Sequence, residues 1–335
     1  MNKVTVIAEA GVNHNGDINL AKKLIDVASS CGADFIKFQT FRTESLAIPK
    51  TLKANYQIMN TNDDDLNQND MLKKLELSEE DHEVLIKYCK DKDINFLSTA
   101  FDIDSLDFLI NKGIKIIKVP SGNLTDYPYL KFIASKKLPV ILSTGMATME
   151  EIKNSLNVLL SYGMNKNLIK ILHCTTSYPA DFKDINLNAM LSIKKEFDVD
   201  IGYSDHSIGI EVSIAAVAMG ARVIEKHFTL NKDDIGPDHA ASLEPEELKN
   251  MIGGIRNIQD ALGDGEKKPT NIEIQNMEAA RKSIVTKTEI KRGDVFSEEN
   301  LTTKRPGTGI SPMLWDKYIG KKSMKDYKKD TLLKE

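Results

Sequence analysis

The sequence predicts an α/β chain: a TIM-type (β/α)8 barrel followed by a small, mostly β module. Short apolar, β-branched runs recur eight times between residues 4 and 229, each leading into a polar loop and an amphipathic stretch. Strand and helix alternating this way give parallel β/α units, and eight units closing on themselves give a barrel of about 250 residues. The alternation then stops near Gly263, and the chain beyond it changes character.

The apolar runs cover residues 4–10, 35–39, 96–101, 116–121, 140–145, 169–175, 201–206 and 223–229. Amphipathic stretches at 20–30, 80–90 and 149–161 fit helices between them. Ser78-Glu-Glu-Asp and Thr148-Met-Glu-Glu put a hydroxyl before a first turn and carboxylates within it, where the helix dipole favours them. Pro245 sits where a first-turn proline is tolerated. One connection, 41–72, is long, polar and rich in Asn and Asp; such a loop in a compact domain is a lid or a partly ordered excursion. A doubly wound open sheet shows the same alternation, so closure is left for the structure to decide. Residues 264–276 are polar, contain Gly and Pro and lack an apolar period, as linkers do. From Arg281, a short strand at 283–286, turns at Arg292-Gly293-Asp294 and Pro306-Gly307, and the single tryptophan, Trp315, mark a second unit. It is just large enough for its own core. The expected organisation is a barrel over 1–263, a linker over 264–280 and the β module over 281–335.

With 335 residues, 41% hydrophobic and 28% charged, the composition is that of a soluble globular protein. The formal charge of −4 implies no polyanion-binding surface and hence no nucleic-acid partner. A local basic pocket for one phosphorylated substrate needs only a few cations and stays open. Cys31, Cys89 and Cys174 are too scattered for a disulfide framework and are expected to be reduced. The N-terminus lacks a signal-peptide pattern, and no apolar run of about 18 residues occurs. A cytoplasmic protein with no membrane partner is the expectation.

Polar residues gather where the predicted strands end, the face on which β/α barrels place their chemistry. They are Glu9; Lys37 and Gln39; Ser98 and Thr99; Lys118 and Ser121; Ser143 and Thr144; Thr175 and Thr176; Ser204, Asp205 and His206; Glu225, Lys226 and His227. Lys37/Gln39, Ser204/His206 and Glu225/His227 each differ by two and so share a face. His206 and His227 end neighbouring strands, roughly 5 Å apart across a ladder, and so can share a metal ion; the other reading is two hydrogen-bonded core histidines. Lys37 and Lys118 supply charge to a phosphate or carboxylate, and Ser121, Ser143 and Ser204 supply hydrogen bonds. A lumen lysine also fits a Schiff-base aldolase. Glu9 adjoins the eighth strand if the barrel closes and is placed to act as a general base. His14 is expected to line the mouth or lie solvated in its loop, His82 on a helix surface, and His173 beneath the site.

The segments AEAGVNHNG (8–16), IKFQT (36–40), KVPSG (118–122), LSTGMAT (142–148), LHCTTSYP (172–179), GYSDHS (202–207), EKHFT (225–229), GPDH (236–239) and KRPGTGISP (304–312) occur in this order. In them the chain resembles the sialic acid synthase family, which includes N-acetylneuraminate, legionaminate and pseudaminate synthases. Its C-terminal part is similar to the family's antifreeze-like (SAF) module. The resemblance implies that His206 and His227 bind manganese or magnesium. It implies that Lys118, Ser121, Ser143 and Ser204, with Thr99 and Lys37 nearby, hold phosphoenolpyruvate, and that Glu9 is the catalytic acid/base. Gln39, Tyr178 and Asp238 fall on the sugar side. Arg305 matches an arginine that reaches the partner's barrel in a domain-swapped homodimer. The residue after Ser121-Gly122 is usually acidic and contacts the sugar, but is Asn123 here; a frequent asparagine on the sixth strand is Thr176, which still offers a hydroxyl.

The implied reaction condenses phosphoenolpyruvate with an N-acyl amino sugar into a nonulosonate, releasing phosphate by C–O cleavage. N-acetylmannosamine giving N-acetylneuraminate is placed first. The alternative is 2,4-diacetamido-2,4,6-trideoxymannose giving a legionaminate. A Schiff-base lyase, a related synthase acting on a sugar phosphate, and a non-catalytic sugar- or ice-binding protein are the rivals.

Overall fold

In a computed structural model that describes residues 3–61 and 66–334, each of the eight runs forms a strand. They are β1 (Thr5–Gly11), β2 (Phe35–Thr40), β3 (Asn95–Ala100), β4 (Ile117–Val119), β5 (Val140–Ser143), β6 (Ile169–Cys174), β7 (Asp200–Asp205) and β8 (Val223–His227). All pair in parallel with their sequence neighbours, and β1 pairs with β8, so the sheet is a closed barrel rather than an open one. β4 is shorter than its apolar run because Ser121–Asn123 turns away in a 3-10 helix.

Alternation along the strands separates two apolar layers. Ile7, Leu97, Ile141, Leu172 and Val223 point into the lumen and, with Phe35 and Ile116, fill its lower part. Their neighbours, among them Val6, Ala8, Ile36, Phe38 and Ile171, face outward against the helices. Each fully buried Leu or Ile contributes roughly 1.5–3 kcal/mol. The lower lumen is therefore a packed floor, and polar lumen residues above it open only toward the strands' C-terminal ends.

The helices Glu79–Asp91 and Met149–Ser161 start at capping boxes on Ser78 and Thr148, and Pro245 opens Pro245–Ala261. The long excursion expected over 41–72 carries three short helices, Thr43–Leu46, Asn55–Thr61 and Gln68–Leu75. Residues 62–65 of it lie outside the described residues, as do 1, 2 and 335.

By contacts the chain divides into units 1–264 and 265–335. In the second, β9 (Ser283–Thr286) and β10 (Leu301–Lys304) pair antiparallel over a core of Ile284, Ile290, Phe296, Leu301, Ile310, Tyr327 and Leu333. The segment read as a linker holds a helix, Asn271–Ala280, which begins at a Thr270/Glu273 capping box and buries no residue. With no buried face it has no apolar period, so its cap is the only local sign of it. Cys31, Cys89 and Cys174 are free thiols. Among the described residues, no helix is long and apolar enough to cross a membrane.

Candidate active site

The lumen layer above the floor is ionic. Glu9, Lys37, Lys118 and Glu225 point inward from β1, β2, β4 and β8 and are only 2%, 3%, 3% and 5% exposed. Lys37 Nζ lies 2.8 Å from Glu9 Oε1 and 3.7 Å from Glu225 Oε2, and donates to Thr99 Oγ1 at 2.7 Å. Lys118 Nζ lies 3.2 Å from Glu225 Oε1 and donates to Ser143 Oγ at 2.8 Å. Ser204 Oγ donates to Glu225 Oε1 at 3.1 Å. Strand parity placed Glu225 on this face, but it had been given no role; it is the carboxylate both lysines share.

Burial sets the protonation states. It raises Glu9 to about 7, against the pull of Lys37. Burial acts on Glu225 too, but Lys118 and Lys37 together hold that carboxyl down at about 2. Glu225 therefore stays ionised, and Glu9 is the group that exchanges a proton near neutrality. Two lysines against one and a fraction carboxylates leave positive charge in a low-dielectric enclosure, which favours an anion.

Several atoms here lack partners. Oε2 of Glu9 and of Glu225, Thr176 Oγ1 and His227 Nδ1 are buried with no hydrogen bond within the protein. Each such vacancy costs about 1–3 kcal/mol unless a ligand fills it. Ser121 Oγ accepts from the Gly145 amide at 2.9 Å and lies 3.3 Å from Cys174 Sγ. A Cβ on Gly145 would stand 2.2 Å from Thr176 Oγ1 and 2.8 Å from Ser121 Oγ, so a side chain there would push both hydroxyls aside.

His206 and His227 project at the mouth, their ring centroids 5.5 Å apart. His206 Nδ1 lies 2.7 Å from the Thr175 carbonyl; it donates there, which leaves the lone pair on Nε2. Burial lowers His206 to about 4 and His227 well below its ordinary value, so both are neutral at pH 7. Neutral imidazoles, one with its tautomer fixed by a backbone carbonyl and one with an unpartnered Nδ1, fit a divalent metal. Among the described residues no group of three or more His, Cys, Asp or Glu is arranged to hold a metal ion, so the protein would offer it these two imidazoles. Two imidazoles would leave open positions for substrate, as catalysis needs.

Tyr178 packs against His206 at 4.1 Å between centroids, the rings tilted by 33°, and lies edge-on to His227 at 5.6 Å. Gln39, Asn123, Tyr178, His227 and Asp238 line one side of a mouth cavity of about 360 Å³. Burial raises Asp238 to about 6. Asn123 Nδ2 donates to the Phe101 carbonyl at 3.0 Å and lies 3.4 Å from Asp126 Oδ2. An ionised aspartate there could make neither bond. Arg305 is exposed in the second unit, where its Nε donates to the Ala280 carbonyl at 3.0 Å. A cavity of about 380 Å³ at the barrel's other end is lined by Phe35, Leu97 and Ile116 with Lys90, Asp93, Asn95, Lys112 and Lys115, and by none of the strand-end polar residues singled out from the sequence.

Some expectations fail. His82 is buried rather than on the helix surface, between Thr40 Oγ1 and the Ser78 carbonyl, each at 2.7 Å. His14 neither lines the mouth nor is solvated; it is fully buried beside Phe38 on the barrel's outer side. His173 lies on the outer face of β6, bonded to the Ile185 carbonyl at 2.8 Å, rather than beneath the site. Ser98, Asp205 and Lys226, one residue off the lumen positions, point outward by the same alternation.

Residues 24–267 match the NeuB family. The chain belongs to it. Residues 281–335 match the SAF domain. The chain is 53% identical over 335 residues to the N,N'-diacetyllegionaminic acid synthase of Campylobacter jejuni, covering 100% of both. It is 47% identical to the Legionella pneumophila protein of the same name, covering 94% of this chain and 89% of that one. The crystal structure of the N-acetylneuraminic acid synthetase of Leptospira borgpetersenii superposes with a TM-score of 0.73 at 34% identity, covering 83% of this chain and 91% of that one. Like these relatives, the chain is an enzyme, a transferase-type synthase.

Proposed function

We propose that the chain condenses phosphoenolpyruvate with 2,4-diacetamido-2,4,6-trideoxymannose to give N,N'-diacetyllegionaminate and phosphate. The observation that carries this is the 53% identity, end to end, with a legionaminic acid synthase, against 34% for the solved sialic acid synthetase. N-acetylmannosamine, placed first from the sequence, becomes the second reading.

In this reading Lys37 and Lys118, with Thr99, Ser121, Ser143, Thr176 and Ser204, hold the carboxylate and phosphate of phosphoenolpyruvate. Gln39, Asn123, Tyr178 and Asp238 receive the sugar. A divalent metal, manganese or magnesium, held by His206 and His227 would supply Lewis acidity toward the aldehyde oxygen. Phosphoenolpyruvate C3 bonds to the aldehyde carbon, water adds at C2, and the C2–O bond to phosphate breaks. Glu9, balanced near neutrality, takes the proton that this water loses on adding to C2 and passes it to the alkoxide formed from the aldehyde oxygen. Exposed Met146, Phe182, Ile208 and Ile235 ring the barrel mouth. They support a homodimer in which a second copy covers the mouth and Arg305 reaches the sugar. Supply of phosphoenolpyruvate, a product of central metabolism, fits a cytoplasmic enzyme.

The test is phosphate release and product mass with each of the two sugars, with and without EDTA. Turnover of the diacetamido sugar that EDTA stops is expected, and a reduced lysine adduct after borohydride and pyruvate would instead favour the Schiff-base rival. His206→Ala should fold, lose divalent-metal binding and lose turnover. An active, EDTA-insensitive His206→Ala would sink the metal assignment.

A further inference from the structure

The mouth cavity has two unlike walls. The polar wall, with His227, Asp238, Gln39, Asn123 and Tyr178, adjoins the histidine pair. The rest of the lining is mostly apolar, with Phe41, Leu46, Met71, Leu72 and Phe101 forming one cluster, and includes the polar side chains of Tyr56, Gln57 and Gln68. Within this apolar wall Phe41 and Met71 pack with Val12 and Leu75, and Phe101 meets Phe41 edge-on at 6.0 Å between centroids.

Phe41, Leu46, Met71 and Leu72 come from the excursion between β2 and β3 and Phe101 from just after β3, and the excursion's helix Gln68–Leu75 is pinned at several points. Thr43 donates to Glu76 Oε1 through its amide at 2.6 Å and its hydroxyl at 2.5 Å. Asn69 Nδ2 donates to the Ala47 carbonyl at 3.1 Å. Gly16, at φ +78°, lies so close that a Cβ would stand 2.5 Å from the Lys74 carbonyl oxygen. An apolar surface fixed in this way cannot turn aside to hydrate a sugar hydroxyl placed against it.

An ordinary hexose offers a hydroxyl and a hydroxymethyl at C4 and C6, which would lose water against the apolar cluster, and the amides of Gln57 and Gln68 nearby are bonded to each other at 3.2 Å. A 6-deoxy sugar acylated at C4 offers methyl groups instead. His227 shares this cavity with Met71 and Leu72, so a sugar with its aldehyde at the histidine pair would extend toward them with its distal carbons. We propose that Leu46, Met71, Leu72 and Phe101 are specificity-determining residues, selecting acceptor sugars with methyl groups on their distal carbons over those with a hydroxymethyl at C6. This rests on the condensation proposed above and names the part of the site that chooses its acceptor.

The experiment compares kcat/KM for 2,4-diacetamido-2,4,6-trideoxymannose and N-acetylmannosamine in the full-length wild type, in Leu72→Asn and in Leu46→Asn. The second variant comes from the excursion's first helix and covers the case in which the first does not fold, as judged by circular dichroism. One apolar contact of this kind discriminates by about 10- to 200-fold. The wild type should prefer the diacetamido sugar, and the ratio of the two kcat/KM values should fall by at least about tenfold in either folded variant. A ratio that stays constant while both values decline together would overturn the selection proposal and leave the condensation standing. So would a wild type that prefers N-acetylmannosamine. A wild type that turns over neither sugar overturns the proposed function itself, and the selection proposal with it.

Discussion

β7 and β8 carry two ionic clusters, one on each side of the barrel wall, and they differ in completeness. On the outside, fully buried Lys226 lies 3.0 Å from Asp205 Oδ2 and donates to the Ser207 carbonyl at 2.5 Å. Asp205 also accepts from Ser207 N at 2.9 Å, Ser207 Oγ at 2.6 Å and Ser213 Oγ at 2.7 Å. Inside, one residue along each strand, an oxygen of Glu9, an oxygen of Glu225 and a nitrogen of His227 make no hydrogen bond, and that oxygen of Glu225 has only Lys37 at 3.7 Å. Burial and residue type are alike on the two faces, so neither distinguishes a working site from a structural one. The difference is unspent hydrogen-bonding capacity, which the outer cluster lacks and the inner one holds for a ligand.

Breaking the closed cluster should have the largest effect, and on stability. Lys226→Met leaves Asp205 buried without its counter-ion and should cost about 3–5 kcal/mol, while adding Asp205→Asn, which removes the charge and keeps an acceptor for the serines, should recover part of it. Urea unfolding measures both. A single variant within about 1 kcal/mol of wild type would mean the outer pair is not the fixed element described here.

Breaking the open cluster should act on chemistry instead. Lys118→Met removes one cation from a layer holding excess positive charge, and Glu225 keeps Lys37 and Ser204. Stability should fall by less than in Lys226→Met, because Glu225 keeps these partners, whereas kcat/KM for phosphate release should drop by about 10²–10³-fold, as when one transition-state donor is lost. Equal losses in folding and activity would erase the distinction between the clusters.

Much of this was legible in the sequence. Strands of a barrel are buried on both sides, so their apolar runs and the period of two located all eight, and with them the lumen faces of Lys37, Glu225 and His227. What escaped depended on contacts distant in sequence. His82 sits on a helix that looks solvated until Thr40 arrives against it. His14 is in a polar loop that the outer side of β2 happens to cover. The apolar wall escaped because Leu46, Met71 and Leu72 are scattered through a segment whose composition reads as loop. Only the pinning of its helices gathers them.

His14 tests the comparison from the other direction, since it is an incomplete polar group outside the lumen. Its Nδ1 accepts from the Gly16 amide at 3.0 Å, so the proton is on Nε2, which is buried without a partner. Burial lowers its pKa from 6.5 to about 4. The unfolded chain therefore takes up a proton first as the pH falls. Stability is full above pH 6.5, declines between 6.5 and 4, and is level below that from this group. The loss is on the order of 3 kcal/mol. His14→Leu should remove that part of the acid sensitivity in urea titrations across the window. An unchanged slope would show that His14 reaches a proton partner or water.

The smallest effect separates the two kinds of cluster most cleanly. Thr148 and Glu151 close a capping box on the barrel's surface, with Thr148 N and Oγ1 donating to Glu151 Oε2 at 2.7 and 2.8 Å. Thr148→Ala should cost about 1 kcal/mol. It shares no bonding partner with Lys118, whose contacts are Ser143 and Glu225. In the double variant the stability loss should therefore match the sum of the single losses to within about 0.5 kcal/mol. The fall in kcat/KM should be that of Lys118→Met alone. A larger joint loss in either quantity would mean that the loop from Ser143 to Thr148 transmits the outer cap to the inner charge layer, and the barrel wall would then not insulate one from the other.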